Sequence, residues 1–547
     1  MASDWVLGIR IECVSVWKSA PLSEWRAPPG GRRVLVIYVG LATATMGAKK
    51  MTEYMNLFLN GFAARISSLL FFLVGLSPNV FAASDSNRYN VLFICVDDLR
   101  PELGCMGAKY VHTPNIDKLA ESGRLFNRHY VQVPTCGASR YALLTGRRPS
   151  ESGGMGNNAF HHGKTTLKQA GNPVGAQSLP EVFRRSGYHT INIGKVSHMP
   201  DGRIFEYNGK GDGRHELPGA WDELLTPFGS WKRGWGMFFA YEGGKHREDG
   251  SGFRPVMQMP DVKDSELPDG MLADAAIAAL KANKDRRFFI GLGFIKPHLP
   301  FVAPKKYWNL YEGVDIPLAA NKAKTSTYSH GSSECYGYQF PFKKSRPLAD
   351  EDALKMRRAY LACVSYTDAQ VGRVLDQLDA LGLRDSTIVV LWGDHGWHLG
   401  DNQVWGKHSP LEYALRSPLI ISVPGMNQPG ESTRAIVESL DIYPTLLDLC
   451  NPEDQKKSHP LAGKSLRPTL NDPSHKGKEA ALSYWAGCTS IRTDTHRLII
   501  PNKNAKKRIE LYDHRTDPEE MINVAAKQPD VVSELRKLKT RNLNFPL

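Results

Sequence analysis

Short, almost continuous apolar runs alternate with helical segments along most of this chain. The first run covers residues 89–96 and ends at Asp97 and Asp98. An apolar run of that length with polar residues at both ends is typical of a parallel strand whose two faces are covered by other elements. The alternation therefore predicts an α/β fold, with a doubly wound, mostly parallel sheet flanked by helices.

Later segments of the chain predict the remaining strands and helices, and the composition changes after Cys450. Strands are predicted at residues 189–193, 288–294, 387–392 and 419–423, and helices at 116–122, 178–186, 269–282, 353–381 and 440–449. After Cys450 the chain becomes polar and rich in lysine, and short strands follow around 490–500 and 508–512. We expect a main domain over residues 83–450 and a smaller C-terminal α+β domain with a short antiparallel sheet over 451–547.

An apolar segment near the start indicates export. Residues 66–76 are too short to span a bilayer, and Val80 and Ala82 fit the small-residue pattern of a signal-peptidase site. Residues 55–82 are therefore interpreted as a signal peptide cleaved near Ala82, with a buried apolar helix as the alternative. We expect a secreted or periplasmic protein without a stable membrane anchor, translation from Met55, and a mis-assigned extension over residues 1–54.

Composition excludes some classes of protein. Hydrophobic residues make up 41% and charged residues 23%, which is ordinary for globular proteins and argues against global disorder. The net charge of +13 would attract polyanions, either sulfated glycans or nucleic acid. No helix-turn-helix, zinc-finger or RNP pattern accompanies this charge, so a nucleic-acid partner is not expected.

Cys136 lies at a chemically special position. It separates the extended residues 131–135 from a segment with helical character, which places it near a helix N-terminus. Unpaired N–H groups and the positive end of the helix dipole favour anions such as sulfate, phosphate or a thiolate there. The alternative is a small, simply buried cysteine.

Polar residues follow three of the predicted strands. Asp97 and Asp98 follow the first, Asp394 and His395 follow 387–392, and His298 follows 288–294. Ligands of open parallel sheets bind beyond the carboxyl ends of strands. Carboxylates gathered there need a neutralising cation, and oxygen ligands suit calcium or magnesium; for Asp97 and Asp98 alone, a helix cap or turn is the alternative.

The segment 136–147 reads C-G-A-S-R-Y-A-L-L-T-G-R and resembles the sulfatase signature C-x-P/A-S-R-x-x-x-L-T-G-R. Further segments similar to that family follow in order: G-K-V-S-H at 194–198, K-P-H-L-P-F at 296–301, D-H-G-W at 394–397 and W-G-K-H at 405–408. The resemblance is to the formylglycine-dependent sulfatases of the alkaline phosphatase superfamily, and most of all to their iduronate-2-sulfatase branch. It implies that residues 83–450 form the catalytic domain.

The resemblance also implies the cofactors. Cys136 would be oxidised by a formylglycine-generating maturation enzyme, and the hydrate of the aldehyde would be the nucleophile. Ala138 stands where proline is commoner, which leaves the type of maturation enzyme open. One calcium ion would be bound by the side chains of Asp97, Asp98, Cys136 as formylglycine, Asp394 and His395.

The remaining site residues follow from the same resemblance. Arg140, Lys195 and Lys407 would balance charge on the sulfuryl oxygens, and Lys195, Lys407 and His298 would bind the substrate. His298 would protonate the leaving alcohol and His198 would act as the base, although the two roles could be exchanged.

The expected substrate is a sulfate ester of a sulfated carbohydrate. A phosphoric or phosphonic ester hydrolase of the same superfamily is the main alternative, and a glycan-binding protein with an unmodified cysteine is a second. The segment 221–241 is rich in aromatic residues that would either stack on sugar rings or pack in the core. These residues are Trp221, Phe228, Trp231, Trp235, Phe238 and Phe239.

Overall fold

The computed structural model of the chain describes residues 89–169, 175–328, 334–502 and 508–543. They belong to one compact unit. The predicted signal peptide, its cleavage site near Ala82 and the start at Met55 lie outside these residues. Within the described ranges, no helix combines the length and the apolar character needed to cross a bilayer. No disulfide bond joins the cysteines of those ranges.

Sixteen strands are present in the described residues. They are β1 Asn90–Val96, β2 Arg124–Tyr130, β3 His189–Gly194, β4 Glu223–Leu224, β5 Met257–Gln258, β6 Phe288–Phe294, β7 Phe301–Val302, β8 Thr387–Gly393, β9 His398–Leu399, β10 Trp405–Gly406, β11 Leu419–Ser422, β12 Ser432–Glu438, β13 Ala481–Trp485, β14 Cys488–Arg492, β15 His496–Pro501 and β16 Glu510–Asp513.

Twelve α-helices accompany these strands in the described residues. They are α1 Pro114–Glu121, α2 Cys136–Thr145, α3 Pro149–Ser152, α4 Leu179–Arg185, α5 Gly234–Phe238, α6 Pro268–Asn283, α7 Lys305–Asn309, α8 Asp350–Ala380, α9 Glu412–Leu415, α10 Ile442–Cys450, α11 Arg467–Asn471 and α12 Pro529–Leu543.

The large sheet has eight strands in the order β12-β2-β11-β8-β1-β6-β3-β4. Strand β1 lies at its centre and runs parallel to both neighbours, with Val91 opposite Phe289 on one side and Ile388 on the other. Only β11 runs against its neighbours β8 and β2. The predicted mostly parallel α/β sheet is therefore confirmed.

Helices cover both faces of this sheet. Alternate side chains of β1 point to opposite faces, so that Leu92 and Ile94 join one core while Val91 and Phe93 join the other. Helices α1, α6 and α8 pack on the first face, and α2, α4 and α10 on the second. All seven residues of β1 are buried, which explains its nearly unbroken apolar sequence.

The small sheet is antiparallel, in the order β13-β14-β15-β16, and has its own core against α12. This confirms the short C-terminal sheet. Leu461, Leu466 and Leu470, which precede it, pack into the core of the large sheet. The domain boundary after residue 450 stays a prediction.

Three strands of the large sheet were not predicted: β2, β12 and the two-residue strand β4. Strand β2 contains Arg124, Asn127 and Arg128, and the edge strand β12 begins with exposed polar residues. The arginines interrupt the apolar pattern by which a buried strand is recognised. Arg124 is tolerated inside the protein because it donates hydrogen bonds to the carbonyl oxygens of Glu431 (2.6 Å) and Leu470 (3.1 Å).

Candidate active site

The carboxyl ends of four parallel strands meet at one edge of the large sheet. Asp97 follows β1, Lys195 follows β3, Asp394 follows β8, and His298 follows β6 within a short turn. The structure brings all ten predicted site residues together there. They are Asp97, Asp98, Cys136, Arg140, Lys195, His198, His298, Asp394, His395 and Lys407.

Cys136 is the first residue of α2. Thr135 before it is extended, with φ −154° and ψ 138°, so the helix N-terminus opens at the cysteine. A Cβ on Gly137 would lie 2.3 Å from the Cα of Asn157, so that only glycine fits this approach. The Gly137 N–H donates to Oδ1 of Asn157 at 2.9 Å. The predicted placement of Cys136 at a helix start is therefore what the chain adopts.

The carboxylates converge on this thiol. Cys136 Sγ lies 3.3 Å from His395 Nε2 and 4.0 Å from Asp98 Oδ1. The Asp98 N–H donates to Asp394 Oδ1 at 3.0 Å. Asp98 adopts φ +60°, a left-handed conformation that is uncommon for a residue with a side chain. In this conformation the Asp98 carboxylate faces the cluster.

Three cations neutralise the carboxylates. Arg140 Nε lies 3.0 Å from Asp394 Oδ2, Lys195 Nζ lies 2.5 Å from Asp97 Oδ2, and Lys407 Nζ lies 2.9 Å from Asp98 Oδ1. All of these groups are buried. Charged groups away from water have to be paired, and three carboxylates against three cations satisfy that requirement.

The ionisation of the carboxylates reflects this pairing. Burial disfavours a charged Asp97, but Lys195, His298 and Arg140 outweigh it and hold its pKa well below the ordinary value. Burial raises the pKa of Asp98 and of Asp394, and the charge of Asp97 adds to both effects. Burial also raises the pKa of the Cys136 thiol well above its usual value, with a further contribution from Asp97.

The surroundings of the two histidines assigned to proton transfer favour the neutral form of each imidazole. His298 Nδ1 lies 2.6 Å from the carbonyl oxygen of Leu299, so Nδ1 carries the proton and Nε2, 3.8 Å from Asp98 Oδ2, carries the lone pair. His198 packs edge-on against Trp235, and its Nδ1 has no hydrogen-bond partner among the described residues. Burial lowers the pKa of both imidazoles, and nearby lysines lower it further.

The cluster fits a divalent cation. Ligand atoms of Asp97, Asp98, Cys136 and His395 all lie within 4.8 Å of one another, and Asp394 Oδ1 lies 3.6 Å from His395 Nε2. Asp97 Oδ1 and Asp98 Oδ2 are buried and accept no hydrogen bond from the described residues. A buried carboxylate oxygen without a hydrogen-bond donor is costly, and carboxylate oxygens are the ligands that calcium and magnesium prefer.

Sequence reasoning missed several neighbours of the cluster. Glu334 Oε1 lies 3.3 Å from Lys407 Nζ, and Ser139 Oγ donates to the carbonyl oxygen of Asp394 at 2.5 Å. Glu334 stands in a polar stretch without periodicity, and no sequence signal marks it. Ser139 belongs to the recognised 136–147 segment, so a search of that segment for hydroxyl groups would have found it.

The aromatic residues of 221–241 serve mainly as packing. Trp231, Trp235, Phe238 and Phe239 are each at most 3% exposed. The Phe238 ring centroid lies 4.6 Å from that of His298 and 4.2 Å from Lys195 Nζ. These rings therefore form the apolar wall behind the histidine and the lysine.

The doubly wound sheet and the carboxylate cluster at its edge define an ester hydrolase of the alkaline phosphatase superfamily. The sulfatase family model matches residues 89–452, and the model described as "N-sulphoglucosamine sulphohydrolase, C-terminal" matches residues 393–544. The chain belongs to the sulfatase family and is a sulfuric ester hydrolase.

Individual relatives agree with this family. A sulfatase of Formosa agariphila is 32% identical over 449 residues, covering 80% of this chain and 83% of the relative. Iduronate 2-sulfatase of Homo sapiens is 31% identical over 414 residues, covering 69% and 71%. The solved phosphonate monoester hydrolase of Silicibacter pomeroyi superposes with a TM-score of 0.67 at 24% identity, covering 83% of this chain and 94% of that chain, which shows a common fold.

Proposed function

We propose that this sulfatase hydrolyses sulfate esters of sulfated carbohydrates, as the name of iduronate 2-sulfatase says of that relative, and that it uses calcium and a formylglycine made from Cys136. The observation that carries the proposal is the position of Cys136 Sγ, 3.3 Å from His395 and 4.0 Å from Asp98 at the start of a helix. A nucleophile formed there meets both the carboxylate cluster and the cations that would receive an anionic ester.

An unmodified thiol suits this position poorly. Attack by cysteine needs the thiolate, whereas burial and Asp97 raise the pKa of Cys136. Formylglycine would supply, as its hydrate, a hydroxyl nucleophile and a second hydroxyl for release of the sulfate. Calcium, held by Asp97, Asp98, Asp394 and His395, would supply positive charge beside that nucleophile.

The cations of the site would bind the sulfate group. Lys195 and Lys407 each bring an ammonium group to the edge of the cluster, and Arg140 fixes its guanidinium on Asp394 and on the carbonyl oxygen of Val196 at 3.1 Å. Donors held in place before the reaction stabilise charge on the sulfuryl oxygens without reorganisation.

Proton transfer is assigned to the two histidines. We assign the proton for the leaving alcohol to the doubly protonated form of His298, in which the Nδ1–H donates to the Leu299 carbonyl oxygen and Nε2 has taken up a proton beside Asp98. The lowered pKa of the imidazole makes this proton easy to give up. His198, neutral and with Nδ1 lacking a described partner, is suited to accept a proton. Replacing His298 should slow esters of poor leaving groups far more than aryl sulfates, and equal losses on both would contradict the assignment of His298 as the acid.

Export and maturation complete the proposal. The predicted signal peptide at 55–82 would deliver the protein outside the cytoplasm, and a formylglycine-generating enzyme that accepts Ala138 would act on Cys136. Expression in a host that lacks such an enzyme should give folded protein without activity.

Sulfate release from a panel of defined sulfated oligosaccharides tests the proposal, with an aryl sulfate and an aryl phosphate run beside it. We expect sulfate release from at least one saccharide and a clear preference for the aryl sulfate over the aryl phosphate. Faster cleavage of the phosphate would favour the phosphoric or phosphonic ester hydrolase. Binding of the saccharides without release of sulfate, by protein that carries the aldehyde, would contradict hydrolysis.

A further inference from the structure

The small C-terminal sheet reaches the active site through one aromatic side chain. Trp485, the last residue of β13, stacks on His408, with ring centroids 4.8 Å apart and planes within 10° of parallel. His408 directly follows Lys407, whose ammonium group binds Asp98. A residue of the small sheet therefore supports a residue at the edge of the catalytic cluster.

His408 lies beside the cluster and is more exposed than Lys407 and Cys136. Its Nε2 lies 3.3 Å from Thr135 Oγ1, and Thr135 directly precedes Cys136. Lys407 and Cys136 are each 2% exposed, whereas His408 is half-buried. A sulfate group that reaches Cys136 fills the deep part of the site, so the rest of the substrate has to lie at the rim, where His408 is.

The hairpin that carries Trp485 is fastened to the segment that leads to Cys136. Ser483 Oγ donates to the carbonyl oxygen of Val131 at 2.6 Å, and the Tyr484 N–H donates to that of Gln132 at 2.7 Å. These bonds hold β13 in register with the strand-to-helix connection before the cysteine. The position of the indole is thus fixed relative to the site.

A buried ion network fixes β14, the strand beside β13 in the same sheet. Arg492 Nε on β14 lies 3.1 Å from Glu412 Oε2 on α9, and Glu412 follows His408 by four residues. The hydrogen bonds of β13 and this network thus tie two neighbouring strands of the small sheet to the segments that precede Cys136 and follow His408.

We propose that His408 contacts the sugar that carries the sulfate ester, and that Trp485 is the positioning residue that holds His408 for this contact. The inference rests on the proposed function and names the part of the site that recognises the saccharide. An imidazole edge offers a hydrogen-bonding nitrogen to sugar hydroxyl groups, and stacking on an indole restricts the orientation of that edge. A small aryl sulfate lacks those hydroxyl groups and would not use the contact.

The test compares two substrates across matched variants. The variants are His408→Ala, Trp485→Ala, Trp485→Phe and the control Trp308→Ala, whose half-buried indole packs on Arg358 at 4.1 Å. The substrates are 4-nitrophenyl sulfate and a heparin disaccharide with a 2-O-sulfated uronate. We expect His408→Ala and Trp485→Ala to raise KM for the disaccharide about tenfold and to leave kcat/KM for the aryl sulfate within about twofold. Trp485→Phe, which keeps a stacking ring, and Trp308→Ala should behave as the unchanged protein.

Equal losses on both substrates, or no loss on the disaccharide, would overturn the inference. A binding measurement separates it from the proposed function: the Cys136→Ala protein is titrated with the disaccharide, with and without Trp485→Ala. If the unchanged protein hydrolyses neither ester, the proposed function is wrong, and a tenfold weaker binding caused by Trp485→Ala still supports the sugar contact. Unchanged binding, or no binding of the disaccharide to the Cys136→Ala protein, overturns it.

Discussion

Two clusters of buried charge in this molecule look alike in composition and differ in how their oxygens are satisfied. One surrounds Cys136; the other joins the small sheet to the large one through Glu412, His514 and Glu520, together with two arginines. Both bring acidic groups and histidine close enough to hold a metal ion. Composition alone therefore does not separate a reactive centre from a structural one.

The carboxylates of the second cluster are fully hydrogen-bonded. Glu412 accepts from Tyr130 (3.0 Å), Arg492 (3.1 Å) and Arg497, while Glu520 accepts from Arg497 (2.5 Å), His514 (2.9 Å) and the Glu412 N–H (2.8 Å). Every carboxylate oxygen of the two glutamates has a partner. Around Cys136, by contrast, Asp97 Oδ1 and Asp98 Oδ2 accept no hydrogen bond from the described residues, and Arg140 Nη2 and His298 Nε2 lie 3.5 and 3.8 Å from them, respectively. A buried carboxylate oxygen without a hydrogen-bond donor indicates a binding site for a ligand. A cluster in which every carboxylate oxygen has a donor indicates a structural role.

The largest expected effect is a loss of activity in the first cluster that leaves the stability of the protein almost unchanged. Cys136→Ala should lower kcat/KM for sulfate esters by about a thousandfold or more, because the nucleophile is removed. The free energy of unfolding should change by only about 1 kcal/mol, because little volume is lost. Steady-state kinetics and urea denaturation measure the two quantities. A variant that keeps more than a tenth of the activity would refute a nucleophile at this position.

The second cluster should respond in the opposite way. Glu412→Gln leaves Arg492 and Arg497 without their shared carboxylate and should lower the free energy of unfolding by about 3–5 kcal/mol. The control Glu534→Gln, on an exposed face of α12, should stay within about 0.5 kcal/mol. An unfolding free energy of Glu412→Gln close to that of this control would mean that the network is not structural.

Calcium should distinguish the clusters directly. At a calcium concentration 100 times its dissociation constant, the unfolding free energy should rise by about 2.7 kcal/mol, because the ion binds the folded state. Asp98→Asn should lose this gain and His514→Gln should keep it. Thermal denaturation with and without calcium measures the shift, and a gain lost in His514→Gln but kept in Asp98→Asn would reverse our assignment.

A buried histidine outside both clusters gives a smaller effect that is set by pH. Burial lowers the pKa of His129 from 6.5 to about 4, while its ring nitrogens lie 3.1 Å from the Ser417 carbonyl oxygen and 2.9 Å from Ser439 Oγ. The unfolded chain takes up this proton first as the pH falls, so stability is complete above pH 6.5 and declines toward pH 4. Between pH 6.5 and 5 the loss should be about 2 kcal/mol.

Urea denaturation over that pH range checks the slope for His129. His129→Gln should flatten the pH dependence by the same amount. A variant with the slope of the unchanged protein would show that folding does not lower the pKa of this imidazole.

The sequence allowed the centre of the sheet and much of the site to be predicted, for a physical reason. Strands β1, β6 and β8 are covered on both faces and are therefore continuous apolar runs, and the residues after them fall at one edge. The resemblance then named ten residues that the structure brings together. Strand β11, apolar in the same way, was predicted as a strand, but its antiparallel direction depends on the chain path and is not written in its four residues.

The contacts that could not be predicted from the sequence join residues that are far apart in the chain. The stacking of Trp485 on His408 joins residues 77 positions apart across two sheets, and no local pattern marks it. The same holds for Glu334 beside Lys407. No local pattern marks the buried arginines of β2 and β14 either, because their partners lie in other elements.

A crystal structure of catalytically active protein, grown with calcium, tests the central claim most directly. We predict a cation bounded by Asp97, Asp98, Asp394 and His395, an oxidised side chain at position 136 in place of the thiol, and no cation between Glu412 and Glu520. An unmodified cysteine in protein that releases sulfate, or a cation in the second cluster with none in the first, would contradict the account.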